Sequence, residues 1–349
     1  MRFDLEQEEL RRTVRTLLER AADGDVWRLL AEQVGAHSLA IPEEFGGAGF
    51  SVLETHVVLE ELGAALAAPG FLSTTLAAQA ILGADSAEAK RALLPGIAEG
   101  RTRATVGWSA ERAGIQSTAE RSGGRDWLLT GTQDHVLDGA EADLFVVPAR
   151  IADGTEQLGL FAVEAADAQT VPVETVDPNR PQAVVRFQRS PARLLNVDGS
   201  AALERLLDLA CVAISAEQVG GAQRAFDLTL AYAKQRVQFG RPIGSFQAVK
   251  HRLADLYTLL ESARSASYAA AFAAASGVEL TVAASRAKAY CSEAFSTIAA
   301  EAIQLHGGIG ITWEHPIHLY FKRAHATGQL FGAPAWHRRR YAEAAGLAA

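Results

Sequence analysis

Cysteine, long apolar runs and positive charge are all scarce in this chain. Its 349 residues include two cysteines, Cys211 and Cys291, which are too few for a disulfide framework and indicate buried thiols in a reducing compartment. No run of about twenty apolar residues appears, as a membrane-spanning helix requires. The net charge of -8 and the isoelectric point near 5.7 argue against a nucleic-acid or anionic-membrane surface. Any anionic ligand must therefore be met by local arginines.

Targeting signals and repeats are also missing. The first residues, MRFDLEQEEL, lack the basic and apolar regions of a signal peptide, so we expect a cytoplasmic protein. Internal repeats and low-complexity linkers are absent. The composition, 49% hydrophobic and 21% charged, is typical of a globular protein with two or three domains.

The apolar pattern changes period twice along the chain. Helical periodicity marks residues 1–104, beginning with DLEQEELRRTVRTLLERA. Short alternating runs such as DWLLTG and DLFVVPAR, separated by Gly, Asp and Pro, mark residues 105–196 as a β domain. Helical periodicity returns over 197–349, where alanine-rich runs such as SYAAAFAAAS favour close helix packing. The predicted fold class is α+β: an N-terminal helical domain, a middle β-barrel or β-sandwich domain, and a C-terminal antiparallel four-helix bundle.

The segment RVQFGRPIGSFQ contains residue types that packing alone does not explain. Its arginine, Arg236, ends a predicted helix, and a planar charged guanidinium at that place can contact a pyrophosphate through two hydrogen bonds. A surface arginine that caps a helix C-terminus is the alternative. The candidate cofactor-binding residues in this segment are Arg236, Gln238, Phe239, Gly240 and Gln247.

The segment QLHGGIGITW is the second such stretch. Gly307 and Gly308 lack the Cβ atoms that would keep a backbone away from a phosphate, and Gln304 adds an amide one helical turn earlier. A bare glycine pair carries little weight, but two donor-rich segments between long helices together indicate a binding site.

These segments, the loop PEEFGGAGF and the run QLHGGIGITWEHPIHLYFKRA resemble the acyl-CoA dehydrogenase family. The similarity covers nearly the whole chain and is densest from Glu217 onward. It implies FAD shared between two subunits, with the flavin ring on the β domain of one and the diphosphate on the helical bundle of the other. By position, Arg236 and Gln304 would contact the diphosphate of a neighbour's FAD, and Phe239 would pack on it. Gly307 and Gly308 would admit its phosphates.

The catalytic base of the family has no counterpart in this sequence. The family commonly places a glutamate in a Tyr-Glu-Gly-Thr-like segment, and the matching position here is Gly332. Some members place it on the first helix of the last domain, where Ala210 lies. Asp208 points about 200° away around that helix, and Glu217 is displaced by roughly 10 Å along it. Neither carboxylate is a good substitute, so the catalytic residue is unassigned.

The β domain also departs from the family pattern. The segment Gly107–Gly114 matches the flavin-contacting motif only loosely, and the aromatic-Ile-Ser/Thr segment is replaced by His135–Asp138. Trp108 is expected either to stack on the flavin or to lie in the β core.

Both departures affect the half-site that the chain would build for its own FAD. The resemblance therefore suggests a non-catalytic subunit that pairs with a related catalytic subunit, as in α2β2 acyl-CoA dehydrogenases, some of which act on steroid-derived CoA thioesters. The implied partners are an acyl-CoA substrate, the catalytic subunit or a second copy, and an electron-transfer acceptor. A self-sufficient homo-oligomeric dehydrogenase and a flavin-free scaffold or acyl-carrier-binding protein remain alternatives.

Two further polar stretches are given structural interpretations. Trp313, His315 and His318 lack a third ligand with metal-binding spacing, and Pro316 and Tyr320 favour a packed helix start, so no metal site is predicted. The basic run at 337–340 could touch a CoA phosphate, but a solvated terminal helix is favoured.

Overall fold

The computed structural model describes residues 3–21, 25–107, 115–122, 127–153 and 157–347. The chain divides into two compact units. One contains Met1–Arg15, His56–Ala67 and Cys211–Ala349, and the other contains Thr16–Thr55 and Ala68–Ala210. Each unit therefore combines segments that are distant in the sequence.

The N-terminal segment is helical, as its apolar period predicts. Helix α1 begins with a reciprocal cap, in which Gln7 N donates to Asp4 Oδ1 at 2.9 Å and Asp4 N donates to Gln7 Oε1 at 3.0 Å. At the start of the fifth helix, Ala89 N donates to the Ser86 hydroxyl at 3.1 Å. The helices are α1 (Leu5–Arg20), α2 (Val26–Leu29), α3 (Val52–Ala64), α4 (Phe71–Leu82) and α5 (Ala87–Ala98).

The middle segment forms one sheet whose strand pairings close into a ring. The strands are β1 (Ala104–Val106), β2 (Thr118–Arg121), β3 (Trp127–Leu137), β4 (Leu144–Ile151), β5 (Leu158–Glu164), β6 (Ala168–Val173) and β7 (Gln182–Asn196). The ring runs β4, β2, β3, β7, β5 and back to β4, while β1 pairs with β4 and β6 with β7. Phe145, Phe161 and Phe187 are buried among the aliphatic residues of its core, because alternate side chains of each strand share one face.

The C-terminal segment consists of three long helices, two shorter ones and a small hairpin. These are α6 (Gly199–Gln235), β8 (Val237–Gln238), β9 (Arg241–Pro242), α7 (Gln247–Ser276), α8 (Leu280–His306), α9 (Ile317–Gln329) and α10 (Pro334–Ala344). Phe226, Leu260 and Phe295 are buried in the core that α6, α7 and α8 share, together with several alanines.

Helices α3 and α6 cross in direct backbone contact. A Cβ atom at Gly220 would lie 1.8 Å from the carbonyl oxygen of Glu60, and one at Gly63 would lie 2.1 Å from that of Glu217. Glycine is required at both positions, since no side chain fits into such a crossing. The buried Glu60 also pairs with Arg11 at 2.9 Å, which connects α1 to the same crossing.

The order of helices, sheet and helices confirms the predicted fold class. The boundaries at residues 104 and 196 stay a prediction. Across the ranges that the structure describes, we find no helix with the length and apolar character that crossing a lipid bilayer demands.

Candidate functional site

Arg236 leads from the end of α6 into a hairpin with a two-residue turn. Val237 pairs with Pro242, and Gln238 pairs with Arg241. The two turn residues, Phe239 and Gly240, have φ of 52° and 74°. Two successive positive φ values define the type I′ turn, whose twist matches that of the flanking strands. Ile243 N donates to the carbonyl of Arg236 at 2.8 Å, which closes the hairpin against the helix end.

Phe239 is both strained and exposed. Positive φ is rare for a bulky residue and costs on the order of 1–3 kcal/mol. The side chain is 92% exposed, so packing within the chain does not offset that cost. Such strain persists where function requires it, and the exposed ring is therefore available to a ligand or another subunit.

Arg241 adds a second guanidinium to the hairpin. Its Cζ lies 4.0 Å from the centre of the Phe246 ring, and Phe246 in turn lies edge-on to Phe239 with centroids 6.1 Å apart. Gln247 follows as the exposed first residue of α7, where backbone amides lack helical acceptors and favour an anion. Arg241 was not predicted from the sequence. The hairpin places it opposite Gln238, a pairing that the sequence does not reveal.

The glycine loop after α8 is open on its outer side. Gly307 has φ 65° and ψ −144°, a conformation that only glycine adopts readily. A Cβ atom built on Gly307 or Gly308 would have no atom within 4 Å, whereas one on Gly310 would lie 2.9 Å from the carbonyl of Ile303. The loop is thus anchored through Gly310 and leaves the backbone of the preceding pair accessible to an external group.

An aromatic contact brings the two segments together. The Tyr232 ring stacks on His306, with centroids 4.4 Å apart and an interplanar angle of 26°. Tyr232 lies one helical turn before Arg236, and His306 directly precedes Gly307, so the ends of α6 and α8 are neighbours. All eight predicted cofactor-binding residues are exposed, and they occupy these two adjoining segments and the start of α7. They are Arg236, Gln238, Phe239, Gly240, Gln247, Gln304, Gly307 and Gly308.

The histidines near this loop are neutral rather than cationic. Burial lowers the pKa of His306, and the nearby His315 lowers it further, while the hydrogen bond to the carbonyl of Ala302 opposes this shift. Burial also lowers the pKa of His315. Positive charge in the exposed segments is therefore carried by the guanidinium groups of Arg236 and Arg241.

Comparison with known proteins identifies the family. The acyl-CoA dehydrogenase N-terminal domain matches residues 4–101, and the acyl-CoA dehydrogenase C-terminal domain matches residues 198–346. Acyl-CoA dehydrogenase IpdE2 of Mycobacterium tuberculosis (strain ATCC 25618 / H37Rv) is 42% identical over 316 residues, which are 90% of this chain and 85% of that protein. The chain belongs to the acyl-CoA dehydrogenase family.

Two solved structures share the fold over 98% or more of this chain. A chain of a variant of the Tcur3481-Tcur3483 steroid ACAD superposes with a TM-score of 0.87 at 32% identity, covering 98% of both chains. A chain of the ChsE4-ChsE5 complex from Mycobacterium tuberculosis superposes with a TM-score of 0.90 at 29% identity, covering 100% of this chain and 99% of that one.

Family membership implies FAD, and the outer face of the bundle has residues that fit its diphosphate. Two exposed arginines supply charge, exposed glutamines supply amides, and Gly307 and Gly308 leave room for a close approach of phosphate oxygens. Phe239 adds an uncovered aromatic surface beside them.

The positions expected to hold the acyl-CoA dehydrogenase base carry no carboxylate. Gly332 has φ 102°, and a Cβ atom there would lie 3.0 Å from both His337 Nε2 and Trp336 Cε3. His337 Nε2 donates to the carbonyl of Phe331 at 2.8 Å, which fixes this tight loop. Ala210, the other expected position, is fully buried.

Residues in the segments that match the family's flavin motifs only loosely make contacts within the chain. The Ser73 hydroxyl donates to Asp138 Oδ2 at 2.5 Å, which connects that carboxylate to the first turn of α4. His135 Nδ1 lies 3.0 Å from Gln182 Oε1. The remaining part of the loosely matched motif, Trp108 to Gly114, lies outside the described residues.

The half-buried histidines His315 and His318 contact aromatic rings and backbone. His318 packs edge-on against Trp313 with centroids 4.6 Å apart, and Lys322 Nζ lies 4.5 Å above the Trp313 ring. Ile317 N donates to His315 Nδ1 at 3.2 Å at the start of α9. In the parts of the chain that the structure covers, no three His, Cys, Asp or Glu residues are grouped to hold a metal ion.

Proposed function

We propose that this chain is the cofactor-supporting subunit of an acyl-CoA dehydrogenase that dehydrogenates a CoA thioester between Cα and Cβ. Its bundle binds the diphosphate of an FAD whose flavin ring lies on a related subunit, and that subunit supplies the base. The observation that carries the proposal is the outward-facing donor set, in which Arg236, Gln304 and the strained Phe239 are all exposed.

An interface between subunits accounts for this exposure better than a site within the chain. Phe239 is held in an unfavourable conformation with its ring almost fully exposed and in edge contact with Phe246, and Gly308 is free of neighbours on its Cβ side. In a solvated surface loop, the strain at Phe239 would only reduce stability, and the open side of Gly308 would have no role. Both become useful when another subunit presents a flat, doubly charged ligand to them.

The absence of a base at the expected positions supports a division of labour. Gly332 has no proton acceptor, and a Cβ atom there would be in tight contact with the side chains of His337 and Trp336. Asp208 and Glu217 are only 3% and 2% exposed, so neither of these two carboxylates is presented at the surface. Bound FAD supplies the hydride acceptor, while removal of the α proton requires a carboxylate from elsewhere in the assembly.

The names of the relatives favour a steroid-derived acyl group. The Tcur3481-Tcur3483 protein is a steroid ACAD, and both it and ChsE4-ChsE5 are named as pairs of components. We extend both features to this chain: a bulky steroid-type acyl-CoA as substrate, and a related but different dehydrogenase subunit as partner. An electron-transfer acceptor would reoxidise the flavin.

Purification of the chain alone and with its partner subunit tests the proposal. We expect the lone chain to hold little flavin and to be inactive, and the co-expressed pair to contain one FAD for each pair of unlike chains. Native mass and flavin absorbance measure both quantities. A lone chain with full flavin occupancy and turnover would overturn the proposal in favour of a homo-oligomeric enzyme, and a flavin-free pair would favour a scaffold.

A further inference from the structure

Three rings occupy the junction between the hairpin and the glycine loop. Tyr232 stacks on His306, and His306 contacts His315 with centroids 4.4 Å apart at 46°. The Tyr232 and His315 centroids are 6.4 Å apart, so the three rings form a triangle. We call Tyr232, His306 and His315 the ring triangle. Its members come from α6, from the last residue of α8 and from the segment before α9.

His306 acts in this triangle as a flat packing surface rather than as a ligand. Its Nδ1 donates to the carbonyl of Ala302 at 2.7 Å, and its Nε2 is buried with no hydrogen-bond partner. The residue is only 3% exposed, so neither nitrogen is presented to a phosphate. An imidazole that leaves a nitrogen unpaired pays a desolvation cost. The stacking of the imidazole face on Tyr232 offsets that cost, so the ring face rather than a nitrogen makes the stabilising contact.

The ring triangle lies where it can fix the distance between the two donor segments. Tyr232 is one turn before Arg236, about 6 Å along the α6 axis, and His306 is bonded directly to Gly307. The outer half of the glycine loop makes no contact on its Cβ side, so its placement depends on the residues at its two ends. Gly310 packs at one end, and the stacked His306 lies at the other.

We infer that Tyr232 and His306 are positioning residues for the diphosphate, which hold the Arg236 hairpin and the Gly307-Gly308 backbone at the separation that a shared cofactor needs. This inference rests on the proposed function. Loss of the stacking contact would let the two segments move independently, and donors must be held to within about 0.5 Å to act together on one ligand.

Flavin titration of the reconstituted two-subunit protein tests the inference. The variants are His306→Ala, which removes the ring, and His306→Phe, which keeps a flat ring without nitrogens. We expect the Kd for FAD to rise by up to about tenfold in His306→Ala, because an aromatic pair contributes up to about 1.4 kcal/mol, which corresponds to a factor of ten. His306→Phe should bind FAD within a factor of about three of the native protein, which a role for the nitrogen would not allow.

A matched control separates positioning from general stability. Tyr257 on α7 is half-exposed, lies ten residues beyond Gln247 and packs against Phe226 with centroids 5.9 Å apart. Tyr257→Ala should lower the melting temperature of the lone chain as His306→Ala does, yet leave the Kd for FAD unchanged. If His306→Ala does not fold, Tyr232→Leu removes the same stack from the α6 side.

The possible results are distinct. Native-like FAD affinity in His306→Ala or Tyr232→Leu would overturn the inference, and so would a His306→Phe protein as weak as His306→Ala. Arg236→Ala in the same titration reports on the proposed function. If it loses affinity while the ring variants do not, only the positioning role fails. If it too binds FAD normally, the proposed diphosphate site itself is wrong.

Discussion

A substitution at Gly308 can test ligand binding without disturbing the fold. Its φ is not in the left-handed range, and a Cβ atom there meets nothing within 4 Å. We expect Gly308→Ala to change the free energy of unfolding by less than about 0.5 kcal/mol, as surface substitutions usually do. The added methyl group would stand between the backbone and a phosphate, so the Kd for FAD should rise at least several-fold in the two-subunit protein.

Gly328 supplies the control for this substitution. It lies in α9, has an ordinary φ, and also has no atom within 4 Å of a built Cβ. Gly328→Ala should leave FAD affinity unchanged. Equal affinities for the two alanine variants and the native protein would show that no ligand approaches Gly308.

At the scale of the element, the hairpin of β8 and β9 is less stable than it could be because Phe239 occupies a turn position with positive φ. Asparagine adopts positive φ far more readily than phenylalanine, so Phe239→Asn relieves strain in the turn. We expect the lone chain to gain about 1 kcal/mol in urea unfolding. The same variant should bind FAD more weakly as part of the pair, because the aromatic surface is gone.

Phe239→Gly distinguishes the two effects within this hairpin. Glycine also removes the strain, but it carries no side chain to replace the ring. A variant that gains stability and keeps native FAD affinity would contradict a cofactor-binding role for Phe239.

The turn illustrates which local features a sequence reveals. The long helices follow from their apolar period, and the eight predicted cofactor-binding residues are recognisable because alanine-rich packing does not require them. The two-residue strands β8 and β9 cannot be predicted in this way, since Phe-Gly lacks the Asn-Gly signature of a type I′ turn. Tyr232 and His306 are 74 residues apart in sequence, a pairing that only the tertiary fold specifies. The hydrogen bond between Ser73 and Asp138 likewise joins residues 65 apart in the sequence.

At the scale of the whole molecule, buried neutral histidines make stability depend on pH. Burial lowers the pKa values of His37, His56 and His337 to about 4, 3 and 4. In the unfolded chain each titrates near its ordinary pKa of 6.5. Between the folded-state and unfolded-state pKa values, the unfolded chain binds more protons than the folded chain. The stability that is present above pH 6.5 is therefore lost as the pH falls toward 4. Each histidine contributes on the order of 2 kcal/mol of this loss between about pH 7 and pH 5.

His337→Gln isolates one of these contributions. The amide can still donate to the carbonyl of Phe331, and it does not titrate. Urea unfolding at about pH 7 and pH 5 should show that the variant is less stable than the native protein at pH 7, because its packing is altered. The difference in stability between the two pH values should be smaller than in the native protein by about 2 kcal/mol. An unchanged pH dependence would show that His337 titrates normally in the folded chain.

The crossing of α3 and α6 has a consequence for how such subunits diverge. The carbonyl of Glu60 packs against Gly220 and that of Glu217 against Gly63, so these helices form a matched pair that tolerates no side chain at either glycine. A gene fusion that exchanged C-terminal bundles between two relatives would break this pairing unless the segment around His56–Ala67 moved with them. Specialised subunits of this architecture are therefore expected to inherit both helices from one parent.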